Sequence, residues 1–461
     1  MENAMAKWLD DVIEYNRSAP LGAVYDDSII FAQMHRWFDN FITVGTKKEN
    51  WVTQFGLADK SFYVEADRKK LGSRWKFATS RQFADLVKGM PRRKFVLYSP
   101  IDPPYPINPL TYIMNSPTIA HTYEHKRYFR DEFSELVKMP EYTVHRVDEL
   151  NKTMFHELKE SFGKFVIQDV ESSGSKGTFV VNNETQYADA VASLKANSFS
   201  GSTVISKFVK GTPYSVQVCI TKYGIFTGGL QRQLVDSKYL CNTKLSGATR
   251  WCGGELGGEY PEIVKHRTQE IATIIGNELA SHGYRGIFGI DLLVTPENDV
   301  YSIEINARLT GYTHMLADMQ FAKRKIPFLL LHTLELGNYK YEVEDLEALP
   351  SMYSLDQKYS YMILNNLVDR SIKLEKEIKT GLYRLEKGTL TYIKPSYTIE
   401  DIKDDRYLLI FSKYGKGETV ERGKRVLKII RRGGCMAGNG DLDVKNQKLV
   451  QLIKQEFSIP G

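Results

Sequence analysis

The sequence predicts a mixed α/β protein built from several units, and three observations carry that prediction. Residues 1 to about 120 alternate strand-like and helix-like segments, as an α/β unit does. Residues 121–340 set short β-patterns around glycine-bearing loops, with helical stretches between them. Residues 345–461 hold several short strand patterns, which suggests a separate β-rich C-terminal domain. At 461 residues, a prior of roughly 150 per domain gives about three domains.

The elements read as follows. Residues 27–41 (DSIIFAQMHRWFDNF) carry apolar side chains at helical spacing, and residues 94–98 (KFVLY) form a short buried-strand pattern. The prolines between Pro100 and Pro109 mark a long connection. Residues 123–136 predict a charged helix, 164–170 and 178–182 two strands, and 184–196 a helix. Strands are expected at 214–221 and 225–231, a helix at 260–282, and C-terminal strands at 390–393, 407–412 and 425–430. The run 421–432 (ERGKRVLKIIRR) alternates charged and apolar residues and reads as a solvated strand.

Composition excludes several classes. Hydrophobic content of 42% and charged content of 26% are ordinary for a soluble globular protein. A net charge of +6 permits an anionic substrate but gives no nucleic-acid footprint. Cys219, Cys241, Cys252 and Cys435 show no CxxC pair and no metal-ligand spacing, so reduced cytosolic thiols are expected. The first 16 residues contain acids and no apolar run, unlike a signal peptide. The apolar run at 328–336 is too short to span a bilayer. A cytoplasmic protein without membrane or nucleic-acid partners is expected.

Residues 289–311 (GIDLLVTPENDVYSIEINARLTG) are the most informative stretch. They read as a hairpin with Asp291 on its first strand and Glu304, Asn306 and Arg308 on its second. The spacing of two sends the last three side chains to one face of a strand. Two carboxylates and an amide oxygen make a hard-oxygen site suited to Mg²⁺. A guanidinium one step further can hold an anion in a forked grip. Metal plus anion suggests nucleotide phosphates.

A second constellation lies between the strands at 164–170 and 178–182. Gly174 and Gly177 let backbone N–H groups approach an anion, while Ser172, Ser173, Ser175 and Lys176 add donors and charge. No helix follows and the order GxxxxGK[ST] is missing, so this is not a Walker loop. A third element, Lys207, Phe208 and Val209 before Gly211, can offer backbone groups to a purine edge.

Phosphate loop, apolar hinge and metal hairpin, in this order over about residues 120–320, resemble the ATP-grasp superfamily. The resemblance implies an ATP-grasp fold with a Rossmann-like N-terminal domain (1–120), a small lobe (121–205), a large lobe (206–340) and a β-rich C-terminal domain (345–461). It implies Asp291, Glu304 and Asn306 as ligands of Mg²⁺, two ions in all, bridging the ATP phosphates. Arg308 would hold the transferring phosphoryl group. Gly174, Ser175, Lys176 and Gly177 would close over the phosphates, and Lys207, Phe208 and Val209 would hold adenine. Lys126 sits where the family often has a phosphate-binding lysine. Gln168 departs from the family, which usually has lysine there, so charge near the α-phosphate would come from Lys126 or Lys176. Glutamine with a Ser/Gly-rich loop is similar to the branch of amide-forming ligases that act on amino acids and peptides.

Such enzymes join a carboxylate to an amine through an acyl phosphate and release ADP and phosphate. Water must be kept out, since acyl phosphates hydrolyse. Two glycine-rich segments, 245–259 and 432–440, are candidate lids. Arg250 is a candidate for binding the acceptor carboxylate, and Trp251 for packing on its side chain. The partners implied are a small-molecule acid and amine; the family often forms homodimers. Alternatives are a carboxylase-type enzyme, although no Met-Lys-Met biotin motif is present, and a nucleotide-binding protein that has lost catalysis.

Overall fold

The computed structural model describes residues 115–461 except 172–176, 199, 243–249, 324, 339–340, 342–354 and 413, and before residue 115 the backbones of five strands. Those strands are β1 (Leu21–Asp26), β2 (Phe41–Gly45), β3 (Ser61–Glu65), β4 (Lys94–Tyr98) and β5 (Tyr112–Ile113). They pair in parallel in the order β3-β2-β1-β4-β5, the strand order of the expected Rossmann-like sheet. The expected strand at 94–98 is β4. The helix expected at 27–41 and the proline-rich connection lie outside the described residues, apart from Phe41, which opens β2.

The single helix expected at 123–136 is two helices, α1 (Pro117–Glu124) and α2 (Lys126–Phe133). His125 separates them with an extended backbone (ψ 112°), and its Nδ1 accepts from Tyr128 N at 3.3 Å, capping α2. The break puts Lys126 at the first position of α2, with its N–H donated to the Val170 carbonyl at 3.1 Å. Lys126, Phe129, Arg130 and Phe133 then form the buried stripe of α2, at the i, i+3, i+4, i+7 spacing of one helical face.

The small lobe has strands β6 (Tyr142–Arg146), β7 (Phe165–Asp169), β8 (Thr178–Val181) and β9 (Ser202–Lys207) in the antiparallel order β6-β9-β7-β8. Helices α3 (Lys152–Phe162) and α4 (Glu184–Asn197) pack on it through a core that includes Phe155, Phe165, Ile167 and Tyr187.

The third sheet begins with β10 (Thr212–Thr221), β11 (Gly224–Thr227), β12 (Gln231–Val235), β13 (Trp251–Leu256), β14 (Gly286–Val294) and β15 (Val300–Asn306). It continues without a break into β16 (Tyr359–Asn365), while β17 (Ile372–Lys373) stands apart and pairs with a later strand. Strands β18 (Gly381–Glu386), β19 (Thr389–Lys394) and β20 (Tyr407–Phe411) rejoin it. The short β21 (Thr419–Val420) is the partner of β17, and β22 (Arg425–Arg432) lies between β16 and β20. The order is β15-β14-β10-β12-β13-β16-β22-β20-β18-β19, with β11 on β10. The C-terminal segment is thus β-rich, and its strands extend the large-lobe sheet through the β13–β16 ladder. One apolar cluster likewise spans both, from Cys219 and Leu316 to Leu409 and Ile430. Helices α5 (Glu262–Ser281), α6 (Thr313–Ala322) and α7 (Phe328–Leu336) cover the large-lobe strands, and α8 (Val444–Glu456) covers the C-terminal ones.

Two expectations are corrected here. The run 421–432 is solvated only at its ends: β22 is buried from Val426 to Arg431, because strands flank it on both sides and side chains cover both faces. Lys428 lies 5.1 Å from the Tyr361 ring centroid, and Arg431 Nη1 donates to Asn446 Oδ1 at 3.0 Å. The segment 245–259 is not one loop: residues 243–249 lie outside the described residues, and Trp251–Leu256 is strand β13. Gly253 is glycine there because its φ is +120° and a Cβ would stand 2.2 Å from the Tyr361 carbonyl oxygen of β16. Among the described residues, no helix is long and apolar enough to cross a membrane.

Candidate functional site

A cleft of about 310 Å³ lies between the small-lobe sheet and the β14–β15 edge of the large sheet. Seven residues singled out from the sequence line it: Lys126, Gln168, Lys207, Phe208, Val209, Asp291 and Glu304. They come from four separate chain segments, so the fold brings together what the sequence lists apart. Val166 and Val180 on one sheet face Leu292, Leu293 and Ile303 on the other, which makes an apolar slot suited to a planar ring.

The hinge runs out of β9. Lys207 N donates to Glu141 O and Phe208 N to Lys164 O, both at 2.9 Å, so these two N–H groups are engaged by the small lobe. The Lys164 ammonium sits 3.7 Å from the Phe208 ring centroid. The Lys207 ammonium points outward to Glu141 at 3.1 Å. Gly177 is buried, its carbonyl accepting from Asp169 N at 3.0 Å. Gly174, Ser175 and Lys176 lie outside the described residues.

The metal hairpin forms with Asp291 directly opposite Glu304 in register, and a bulge follows at Asp291/Leu292. The turn at residues 295–299 is closed by Asn298 at φ 65°, its N–H donated to Thr295 O at 2.9 Å. Asp291 is partly buried, and desolvation first, then the Glu304 charge, push its carboxyl well above the usual range. Gln233 Nε2 donates to Asp291 Oδ1 at 2.9 Å and Asn306 Nδ2 to Asp291 Oδ2 at 3.3 Å. Glu304 Oε2 is 3.6 Å from Lys126 Nζ.

Two facing carboxylates, one stripped of water, repel unless a cation separates them, and this donor set fits a hard divalent ion such as Mg²⁺. Asn306 fits less directly. Its Oδ1 accepts from Arg308 Nη2 at 2.6 Å, so ligation through oxygen would require the amide to turn over. Among the described residues there is no group of three or more His, Cys, Asp or Glu able to hold a metal.

Arg308 lies past the end of β15, in the bend that follows, rather than on the strand face. Its Nε meets Glu124 Oε1 at 3.0 Å. Burial raises the pKa of Glu124, the nearby Arg308 charge opposing that rise. Arg250 does not line the cleft. Its guanidinium donates to the Gly423 carbonyl and to Asn365 Oδ1, tying β13 to the C-terminal strands. Trp251 packs edge-on to Tyr361 at 5.5 Å and against Gly311, where a Cβ would stand 2.4 Å from its ring. The 432–440 loop is pinned by Glu255, whose Oε1 accepts from Cys435 N and Met436 N at 2.6 Å.

Sequence reading missed two polar residues of the cleft. Gln233 sits on β12; the strand expected at 225–231 is instead β11 (Gly224–Thr227) and only the first residue of β12, and only sheet pairing carries Gln233 to Asp291. Arg130 has Nη2 donating to Gln168 Oε1 at 2.9 Å. Its signal was available: it falls one helical turn after Lys126 on the same face of α2.

Residues 123–312 match the family model described as the ATP-grasp domain. No curated protein matches the sequence. The fold is similar to that of an L-amino acid ligase from Bacillus licheniformis, with TM-score 0.58, 11% identity, 95% of this chain and 96% of that one covered. It is also similar to an N5-carboxyaminoimidazole synthetase from Staphylococcus aureus, with TM-score 0.54, 11% identity and coverage of 95% and 97%. A third likeness is the biotin carboxylase domain of the Hydrogenobacter thermophilus 2-oxoglutarate carboxylase, solved with MgADP, at TM-score 0.56, 10% identity and coverage of 89% and 86%.

Proposed function

From the premise that this chain belongs to the ATP-grasp superfamily, we propose that it is an ATP-dependent carboxylate–amine ligase acting on amino-acid or peptide substrates. The observation that carries this reading is one cleft combining an apolar slot, a hinge, a facing carboxylate pair and a buried cation. The likeness in fold to an L-amino acid ligase over nearly the full length of both chains adds support. In this reading residues 1–120, 121–205, 206–340 and 345–461 are the units, the last joined to the third through the β13–β16 ladder, and the protein acts in the cytoplasm, as a homodimer.

The chemistry follows from the groups. A carboxylate is a poor electrophile, and phosphorylation supplies a leaving group. Adenine stacks between Val166, Val180 and Leu293 and meets the backbone of Lys207–Val209. Asp291 and Glu304, with Asn306 after its amide turns, would hold Mg²⁺, which when bound would supply charge neutralisation at the phosphates. Lys126, beside Glu304 at 3.6 Å, would bind a phosphate oxygen. Arg308, freed from Asn306 by the same turn, faces the transferring phosphoryl group and later the tetrahedral oxyanion formed on amine attack. Gly174, Ser175, Lys176 and Gly177 cover the phosphates. Arg250 serves the acceptor only if the cleft closes further toward β13.

A screen of amino acids and dipeptides in pairs tests the reading. ADP and phosphate are expected only with both acid and amine present, and Glu304→Gln should abolish their release. AMP as product excludes the mechanism. ADP release driven by bicarbonate as the acid would favour the carboxylase-type alternative, the chemistry carried by the names of two similar folds. Nucleotide binding without turnover on any pair would favour lost catalysis.

A further inference from the structure

The cleft holds a buried cation that no carboxylate of the described residues meets at ion-pair distance. Arg130 is 1% exposed and lines the cleft one turn after Lys126. Its Nη2 donates to Gln168 Oε1 at 2.9 Å and its Nη1 to the Lys126 carbonyl at 3.2 Å, both neutral acceptors. Its Nε has no hydrogen-bond partner. No carboxylate stands within ion-pair distance of it among the described residues, whereas neighbouring Lys126 already has Glu304 at 3.6 Å. Gln168 is itself fixed, with Nε2 donating to Thr178 Oγ1 at 3.4 Å across the β7–β8 ladder. Burial lowers the Arg130 pKa to about 10, the more distant Glu304 charge opposing the fall, so the side chain stays charged at neutral pH.

A guanidinium taken out of water without an opposite charge is costly unless an anion arrives to compensate it. Arg130 lines the same cleft as the apolar slot and as Asp291 and Glu304. We infer that Arg130, aimed by Gln168, forms the anion subsite that binds the polyphosphate of the nucleotide between the ring slot and the carboxylate pair. This rests on the ATP reading above. Gln168 is then a positioning residue: its oxygen holds the guanidinium while its neutrality leaves the positive charge for the phosphate. A carboxylate at that position would consume the charge, and a lysine would repel Arg130.

Titration calorimetry on the full chain with ADP, adenosine and inorganic pyrophosphate tests this, without Mg²⁺ so that the cation carries the whole effect. Arg130→Met is expected to weaken ADP roughly tenfold to hundredfold, the scale of a lost charge-assisted contact, and adenosine less than about twofold. Gln168→Leu should weaken ADP by a smaller factor and spare adenosine. Arg130→Lys, which keeps the charge and loses the fork, should fall between wild type and Arg130→Met. Pyrophosphate should compete with ADP on wild type. The last two measurements decide the matter if Arg130→Met does not fold. An Arg130→Met protein with intact far-UV circular dichroism and ADP affinity within twofold of wild type overturns the subsite, as does equal weakening of ADP and adenosine. A wild-type chain that binds neither ADP nor adenosine overturns the ATP reading instead.

Discussion

Asp291→Asn should stabilise the metal-free protein at neutral and alkaline pH, although it removes a proposed metal ligand. Asp291 is partly buried, and its carboxyl is raised from 3.8 to about 7 by desolvation first and by Glu304 opposite it second. The sign follows from linkage: a carboxyl raised in the folded state keeps its full stability below the unfolded value and loses it as pH rises through the folded one. The cost is therefore absent below about pH 4 and complete above about pH 7. At about 1.4 kcal/mol for each tenfold change, ionising Asp291 in the metal-free fold costs on the order of 4 kcal/mol. The Gln233 and Asn306 N–H donors already act against that cost, so Asn, which accepts only one of them, recovers less than all of it. Thermal unfolding followed by circular dichroism, with EDTA or with Mg²⁺, at pH 5 and pH 8, reads the effect. For wild type, Mg²⁺ should raise the Tm more at pH 8 than at pH 5, because the ion replaces the proton between the two carboxylates. For Asp291→Asn, the Tm in EDTA should exceed that of wild type at pH 8, match it more closely at pH 5, and respond weakly to Mg²⁺. An Asp291→Asn protein with wild-type pH dependence and a wild-type Mg²⁺ response would refute the paired-carboxylate reasoning.

Arg250→Ala should lower the Tm and leave nucleotide affinity unchanged, since Arg250 bonds Gly423 and Asn365 rather than the cleft; a rise in substrate KM at unchanged Tm would restore the acceptor-binding role. Gly253→Ala should cost about 3 kcal/mol or more, because φ +120° and a Cβ 2.2 Å from the Tyr361 oxygen strain both β13 and β16. Chemical denaturation checks it, and an unchanged midpoint would mean that β13 can move away from β16.

Much of the cleft was legible because its chemistry is written locally. Glu304 and Asn306 alternate along one strand, and a turn centred on Asn298 returns Asp291 opposite Glu304. Hairpin register depends on residues close in the chain, so the pairing can be read without tertiary knowledge. Arg308 was misjudged by the same rule, extended two residues too far: β15 ends at Asn306, and the side chain turns to Glu124. The break in the helix at His125 was also local, yet the surrounding charged run masked a capping histidine.

What the sequence determined by itself was the kind of chemistry: a hard-oxygen pair, a glycine-serine loop and a hinge, in an order that matches one superfamily. Tertiary structure decided which charges meet. Gln168 looked like a missing cation until α2 laid Arg130 against it, 38 residues away in the chain. The run 421–432 looked solvated until β16 and β20 enclosed it, and the C-terminal strands looked separate until β16 paired with β13. Alternation and spacing report the neighbours along the chain. Burial and charge compensation depend on neighbours across it, and those exist only after the sheets have formed.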